Sequence, residues 1–163
     1  MMKHAFAALL FAGAAILPAS AQDAGEIARV QEGKDCRSCN LFQADLSYMD
    51  LPGINVSGSR LRQADLSLAT MNGADLSGAN LSVANLFGAR LTGADLSNAD
   101  LTSASLVGAY FGGANLSGAK LAGANLGGAE LATARGLTQR QLDTACGDGT
   151  TELPAGLRIP VCR

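Results

Sequence analysis

The chain has 163 residues, a formal net charge of −2, 48% hydrophobic and 4% aromatic residues, twenty Gly and no Trp. The length suits one domain, and the near-neutral charge argues against a nucleic-acid partner. Gly does not recur at every third position and no apolar run reaches the roughly 18 residues needed to cross a bilayer, which excludes collagen-like and membrane-spanning chains. Because the apolar residues are mostly Ala and Leu, we expect thin uniform layers instead of a core of large side chains.

The first segment, residues 1–21, is predicted to be a secretory signal peptide. Lys3 follows the amino terminus, residues 5–17 are apolar but too short to cross a membrane, and residues 18–21 offer a cleavage site after Ala21. An amphipathic first helix is the alternative, but the segment has no polar face. We expect the mature chain to be periplasmic or secreted, without membrane insertion, in a compartment where disulfides persist.

Cleavage would remove His4, the one histidine of the chain. Without it there are no Ser-His-Asp or Cys-His catalytic pairs, no His general base and no His metal ligand. These are the commonest enzyme designs. A catalytic pair of Asp residues is the alternative, but a convex surface gives no cleft to shift the pKa of such a pair, so we predict a protein that is not an enzyme and needs no cofactor or metal. With Lys3 removed, eleven Lys and Arg face fourteen Asp and Glu, a net charge of −3.

Residues 22–35 form the next segment, which is predicted to be an N-terminal cap. Ile27 and Val30 lie three residues apart, a spacing that puts both on one side of a short helix. That helix is expected to cover the first turn of the structure that follows.

A five-residue repeat dominates residues 36–135. Every fifth residue from Leu41 to Leu131 is large and apolar, and Ala stands two residues earlier without exception from Ala64 to Ala134. A period of five would spiral around a helix and alternate between the faces of a strand. A chain that turns one corner per repeat keeps these positions inside, which predicts a solenoid. Gly often stands two residues after Leu, where a corner needs backbone freedom.

Units such as ADLSG at 74–78 and ANLSG at 114–118 resemble the A(D/N)Lxx unit of the pentapeptide repeat family. The resemblance implies an all-β solenoid, a right-handed quadrilateral β-helix in which four pentapeptides make one square coil. Residues 36–135 then make about five coils in a stack about 24 Å tall. The resemblance also implies a bacterial source, and hence a bacterial periplasm or exterior.

Residues 136–163 are predicted to be a C-terminal cap with a short helix. Thr138 is the expected N-cap, Gln141 completes a capping box, and Leu137 and Leu142 form a hydrophobic staple. Gly147 is expected to end the helix. An extended apolar tail then folds under the last coil, carrying Leu153, Leu157, Ile159 and Val161.

The four cysteines allow three disulfide pairings. They fall into two pairs at opposite ends of a stack of about 24 Å, whereas a disulfide needs Cα atoms within about 7 Å. We therefore predict two local disulfides: Cys36 with Cys39, and Cys146 with Cys162. The alternative for the first pair is a CxxC redox or zinc motif, although neither a βαβ context nor a second pair of ligands is near it.

Outward side chains suggest a function. Residues twenty apart stack in a square coil, and this register aligns an apolar stripe of Tyr48, Leu68, Phe87 and Val107. Val83 lies near the same corner. The alternative is that these are scattered apolar surface residues without a function. We predict a scaffold or protein-interaction module that binds an unidentified protein partner or a second copy of itself. Two polar ladders are predicted to bond along the coils or, alternatively, to contact carbohydrate or ions: Ser57, Ser77, Ser97 and Ser117, and Asp65, Asn85, Ser105 and Asn125.

Two other functions follow from the resemblance and from the CxxC motif. Some pentapeptide repeat proteins inhibit DNA gyrase by imitating duplex DNA, which would need on the order of fourteen negative charges along about 24 Å. Residues 36–135 carry seven acidic and six basic residues, which disfavours this topoisomerase-inhibitor hypothesis. The second alternative is a CxxC thiol–disulfide redox protein.

Overall fold

The computed structural model describes residues 22–163, so the predicted signal peptide lies outside the described residues. These residues form two helices, α1 (Ala24–Gln31) and α2 (Gln139–Leu142), with the repeats between them. Neither helix is long and apolar enough to cross a membrane.

Parallel β-bridges between residues twenty positions apart hold the repeats together. Asp45 pairs with Asp65, Asp65 pairs with Asn85, and the regular series ends with Asn115 paired to Arg135. Each coil of twenty residues has four such bridges, one per pentapeptide, and hence four sides. Each bridge is a single residue flanked by turns, because five residues leave no room for a longer strand before the next corner.

Each corner is a four-residue turn. The amide of Ala64, for example, donates to the carbonyl of Leu61 at 3.0 Å, and the residue before the Ala has a positive φ, as in a type II turn. Gly73 at 68° and Gly93 at 68° show why glycine recurs there. At other corners a residue other than glycine occupies the same position and also has a positive φ: Ser38, Gln43, Tyr48, Gln63, Leu68, Val83, Asn98 and Ser103.

The Leu and Ala positions line the inside of the stack, as the repeat predicts. Leu61, Leu81 and Leu101 are completely buried, and so is Phe111, the largest side chain of the core. In the first repeats Cys39, Met49, Ile54 and Ser59 stand in place of Ala. Of these four, only Met49 is partly buried. Burial of uniform columns is the main stabilising contribution, at about 25 cal/mol per Å² of apolar surface removed from water.

Asp or Asn before the central Leu closes a hydrogen-bonded loop within its own pentapeptide. Asp75 Oδ1 accepts from the amide of Ser77 at 3.0 Å and from its hydroxyl at 2.6 Å. The equivalent bonds from the Ser97 hydroxyl and amide lower the pKa of Asp95, and the Thr102 hydroxyl lowers the pKa of Asp100. These bonds explain the A(D/N)L pattern.

The predicted serine ladder does not bond along the coils. Ser57 and Ser117 donate to the Asn two residues earlier in their own pentapeptide, both at 2.7 Å. The bonds between coils come from the Asp/Asn positions instead, as where Asn85 Nδ2 donates to Asp65 Oδ1 at 3.1 Å. The serine prediction was wrong because each hydroxyl bonds the carboxylate or amide oxygen two residues earlier in its own pentapeptide.

Helix α1 covers the first coil. Asp23 accepts from the first amides of the helix, Val30 is fully buried, and Ile27 packs against the core. The open backbone groups of the first coil are bonded by side chains from this segment: Glu26 accepts from the Asn40 amide, Gln22 Nε2 donates to the Gln43 carbonyl at 3.0 Å, and Gln31 Nε2 donates to the Asp45 carbonyl at 2.9 Å.

Helix α2 begins with Thr138 as N-cap in a capping box with Gln141. It ends at Leu142 with Asp143 as C-cap, so the prediction that Gly147 ends it was wrong. Gly147 is buried and pairs with Val161. A Cβ there would lie 2.7 Å from Thr151 Oγ1 and 3.0 Å from Ile159 Cγ2, so glycine is required by close packing of the tail.

The C-terminal segment continues two sides of the coil beyond the repeats. Asn125 pairs with Cys146 and Glu130 pairs with Glu152, while α2 occupies the side beneath Leu121. The tail residues Leu153, Leu157 and Ile159 pack against the core. Val161 is instead 73% exposed, contrary to the expectation that the whole tail lies under the last coil.

Candidate interaction surface

The four residues of the apolar stripe lie next to each other on the stack. Tyr48 and Leu68 stand at the same corner of successive coils, and Phe87 and Val107 stand one residue before that corner in the next two coils. The Leu68 amide donates to the Phe87 carbonyl at 2.8 Å, and the Gly88 amide donates to the Val107 carbonyl at 2.9 Å. Tyr48 is 75% exposed, Leu68 43% and Phe87 50%, and Val107 is half-buried.

Backbone strain accompanies the exposed apolar side chains. Tyr48, Leu68 and Val83 have φ values of 59°, 58° and 59°, a region in which bulky or β-branched residues are outliers. The left-handed conformation costs a residue with a Cβ about 1–2 kcal/mol. Most other corners carry Gly. The chain therefore places three exposed apolar side chains where glycine would be less strained.

Gly88 is a member of this surface that sequence reasoning missed. A Cβ on Gly88 would lie 2.7 Å from Leu68 Cδ2, so the absence of a side chain lets Leu68 lie over the next coil toward Phe87. The available sequence clue is the register: Gly88 stands twenty residues after Leu68, directly beneath it.

Polar groups border the stripe on one side. Asn85 Oδ1 accepts from the Phe87 amide at 3.2 Å, and Asp65 lies in the coil above Asn85. At the first coil, the Ser47 hydroxyl and amide lower the pKa of Asp45. An apolar centre with a polar rim is typical of protein interfaces.

Both predicted cysteine pairs are bonded. The Cα atoms are 5.6 Å apart in Cys36–Cys39 and 4.8 Å apart in Cys146–Cys162. Ser59 holds the first pair in place: its buried hydroxyl accepts from the Cys39 amide at 3.0 Å and donates to the Cys36 carbonyl at 2.9 Å. The sulfurs of the zinc alternative are thus bonded to each other, and residues 22–163 contain no group of three or more potential metal ligands.

Comparison with known proteins identifies the family. The sequence profile of the family described as Pentapeptide repeats matches residues 39–78, 79–118 and 104–135, with eight copies. The chain belongs to the pentapeptide repeat family. Proteins of this family are right-handed quadrilateral β-helices, in agreement with the four-sided coil described above. Comparison with curated proteins found no match.

Solved structures of pentapeptide repeat proteins resemble the chain. HetL, involved in heterocyst differentiation regulation in the cyanobacterium Nostoc sp. strain PCC 7120, is 41% identical over 63% of this chain and 48% of its own, with a TM-score of 0.59. This chain therefore spans about half the length of HetL. Rfr23 from the cyanobacterium Cyanothece 51142 is 28% identical over 79% of this chain and 97% of its own, with a TM-score of 0.64.

QnrB1, a plasmid-mediated fluoroquinolone resistance protein, also matches. It is 22% identical over 72% of this chain and 81% of its own, with a TM-score of 0.33. At that similarity the match bears on no functional question.

Proposed function

We propose that this pentapeptide repeat protein is an exported, non-enzymatic interaction module that binds a protein partner through the apolar stripe. The observation that carries the proposal is the placement of Tyr48 and Leu68, exposed and in the left-handed region, beside Phe87. Backbone strain persists where the surrounding structure imposes it, and strained bulky residues are concentrated at functional sites. Contiguous exposed apolar side chains with a polar rim are typical of interaction sites.

The stack suits such a function because it presents the stripe rigidly. Backbone hydrogen bonds between coils hold the stripe, as from the Leu68 amide to the Phe87 carbonyl, so little conformational entropy is lost when a partner binds. Both ends of the stack are closed: Gln141 Nε2 donates to the Leu116 and Ala119 carbonyls, both at 2.9 Å, and α1 closes the other end. A partner therefore binds the side chains of one side, since strand addition needs an open edge.

Export is supported by the signal-peptide pattern of residues 1–21 and by the bonding of all four cysteines in two disulfides. The lack of a histidine after Ala21 removes the commonest general base and the Ser-His and Cys-His pairs, which supports a non-enzymatic function. DNA mimicry has weaker support, because seven acidic residues are offset by six basic ones across residues 36–135.

The test is chemical cross-linking in a periplasmic extract, read by mass spectrometry. It compares the wild type with the double variant Phe87→Asp, Val107→Asp, and with the control Thr92→Asp, Ala132→Asp, which changes exposed residues on another side. We expect a cross-linked species in the wild type and the control that the stripe variant lacks. Identical patterns in all three proteins, or no cross-linked species in the wild type, would contradict the proposal.

A further inference from the structure

A column of charged and polar residues runs beside the apolar stripe. Parallel bridges pair Asp50 with Thr70 and Thr70 with Arg90, so the three residues hold the same position in successive coils. Each stands two residues after the corner that carries the stripe. A strand spacing of about 4.8 Å puts the backbones of Asp50 and Arg90 about 10 Å apart. A negative and a positive side chain therefore lie at equal distances on either side of Thr70.

Both charges are available to a partner. Asp50 and Arg90 are exposed, and neither forms an ion pair within residues 22–163. The Arg90 guanidinium lies 5.7 Å from the centre of the Tyr110 ring, an attractive contact that holds this long side chain on the same side of the stack. A carboxylate from a partner would therefore meet an arginine that is already positioned.

This charge pattern is complementary to itself. A second copy can lie antiparallel against this side, related by a two-fold axis that is perpendicular to the stack at the level of Thr70. Asp50 of each copy then faces Arg90 of the other, and the symmetry forms this pair twice. In a parallel dimer centred on the same column, Asp50 would face Asp50 and Arg90 would face Arg90, so like charges would oppose each other. The column therefore favours the antiparallel arrangement.

The same axis suits the side chains of the stripe. Leu68 is two residues from Thr70, so the axis brings Leu68 of one copy against Leu68 of the other. Tyr48, the most exposed member of the stripe at 75%, then faces Gly88, which has no side chain of its own and is covered by Leu68. The largest projecting ring of the stripe therefore meets the corner with the smallest residue, on an apolar surface.

A second register would also pair opposite charges. An axis at Tyr110 would join Arg90 of each copy to Glu130 of the other, since Glu130 follows Tyr110 in the same column. The position facing Tyr48 would then lie three coils beyond Tyr110, past the end of the chain. Only the axis at Thr70 combines the charge pairs with apolar contact along the stripe.

We propose that the partner of the apolar stripe is a second copy of this chain, bound antiparallel about an axis at Thr70, with Asp50 of each copy paired to Arg90 of the other. The inference rests on the proposed function, because it names the occupant of the same surface. The contacts come from three coils and the ion pairs lie at the surface, so we expect a weak dimer that dissociates in the micromolar range.

The experiment is sedimentation velocity of the purified oxidised protein over a range of concentrations. Asp50→Arg and Arg90→Asp should each weaken the dimer at least about tenfold, because like charges then face each other twice. An equimolar mixture of the two variants should dimerise again, because every facing pair is then of opposite charge. The control Glu130→Arg reverses an exposed acid of the same column and should dimerise as the wild type does.

A chemical cross-link tests the position of the axis. A residue on a two-fold axis lies next to its own copy, so Thr70→Cys should be joined to itself by a short bis-maleimide. Thr92→Cys, on an exposed position of another column, should not be joined.

The inference is overturned if both single variants dimerise like the wild type, if their mixture stays monomeric, or if Glu130→Arg abolishes the dimer. A monomeric wild type that still gives a stripe-dependent cross-link to another protein would overturn this inference alone. A monomeric wild type without such a cross-link would contradict the proposed function as well.

Discussion

Replacing Ser59 with Ala should change stability in a way that the structure predicts and the repeat pattern does not. The repeat places Ala at this position in most pentapeptides, so the pattern alone predicts that Ser59→Ala is harmless or stabilising. In the structure the Ser59 hydroxyl is fully buried and bonds the Cys39 amide at 3.0 Å and the Cys36 carbonyl at 2.9 Å. Alanine would leave both groups without a partner in the first coil.

A buried polar group left unpaired costs about 1–3 kcal/mol, so we expect Ser59→Ala to lower the free energy of unfolding by about that amount. The assay is urea unfolding of the oxidised protein, with stability taken from the linear extrapolation. Ser82→Ala is the control, because it removes a half-buried hydroxyl whose partner is Asn80 of its own pentapeptide and should cost about 0.5 kcal/mol or less. If Ser59→Ala were as stable as the wild type, the assigned role of this hydroxyl would be wrong.

Three further predictions concern the stack, its carboxylates and its cap. Leu96→Ala, at a completely buried position, should cost about 3–5 kcal/mol in urea unfolding, because the fixed ladder hinders collapse of the cavity; a cost under about 1 kcal/mol would mean that the coils do relax. Replacing Cys146 and Cys162 with Ser should cost about 3 kcal/mol, and a variant unfolding at the wild-type urea midpoint would contradict this. Stability should stay level from neutral pH to about pH 5 and fall below about pH 4, as measured by urea midpoints across pH; a midpoint unchanged at pH 2 would refute the role of the carboxylates with lowered pKa: Asp45, Asp95, Asp100 and Asp148.

The sign of the pH effect follows from the carboxylates. Hydrogen bonds from Ser and Thr hydroxyls favour the charged form of each Asp in the folded state, so the folded pKa lies below the unfolded one. Their contribution to stability is complete above the unfolded pKa of about 3.9. It is lost as the pH falls through the lowered folded values.

The repeat itself could be predicted from sequence because its determinants are local. A strict period of five specifies which side chains point inward, and the capping box at Thr138 lies within four residues. Both cysteine pairs follow from their positions at opposite ends of the stack, whose coil of four pentapeptides is implied by the family resemblance.

The sequence could not predict features that depend on contacts across coils or on a change of spacing. In the repeats every bridge joins residues twenty apart, but Asn125 pairs with Cys146 and Glu130 with Glu152, so the register shifts where α2 is inserted. This shift brings Gly147 against the tail. The strain at Tyr48, by contrast, follows from the repeat, because Tyr48 stands two residues after Leu46, where other repeats carry Gly.

The most direct test of the central claim is site-specific photo-cross-linking in the cells that make the protein. A benzophenone amino acid replaces Phe87 in one strain and Thr92, an exposed residue on the next side of the same coil, in another. Interaction through the apolar stripe predicts a discrete protein adduct from position 87 and none from position 92. Equal adducts at both positions, or none at either, would contradict it.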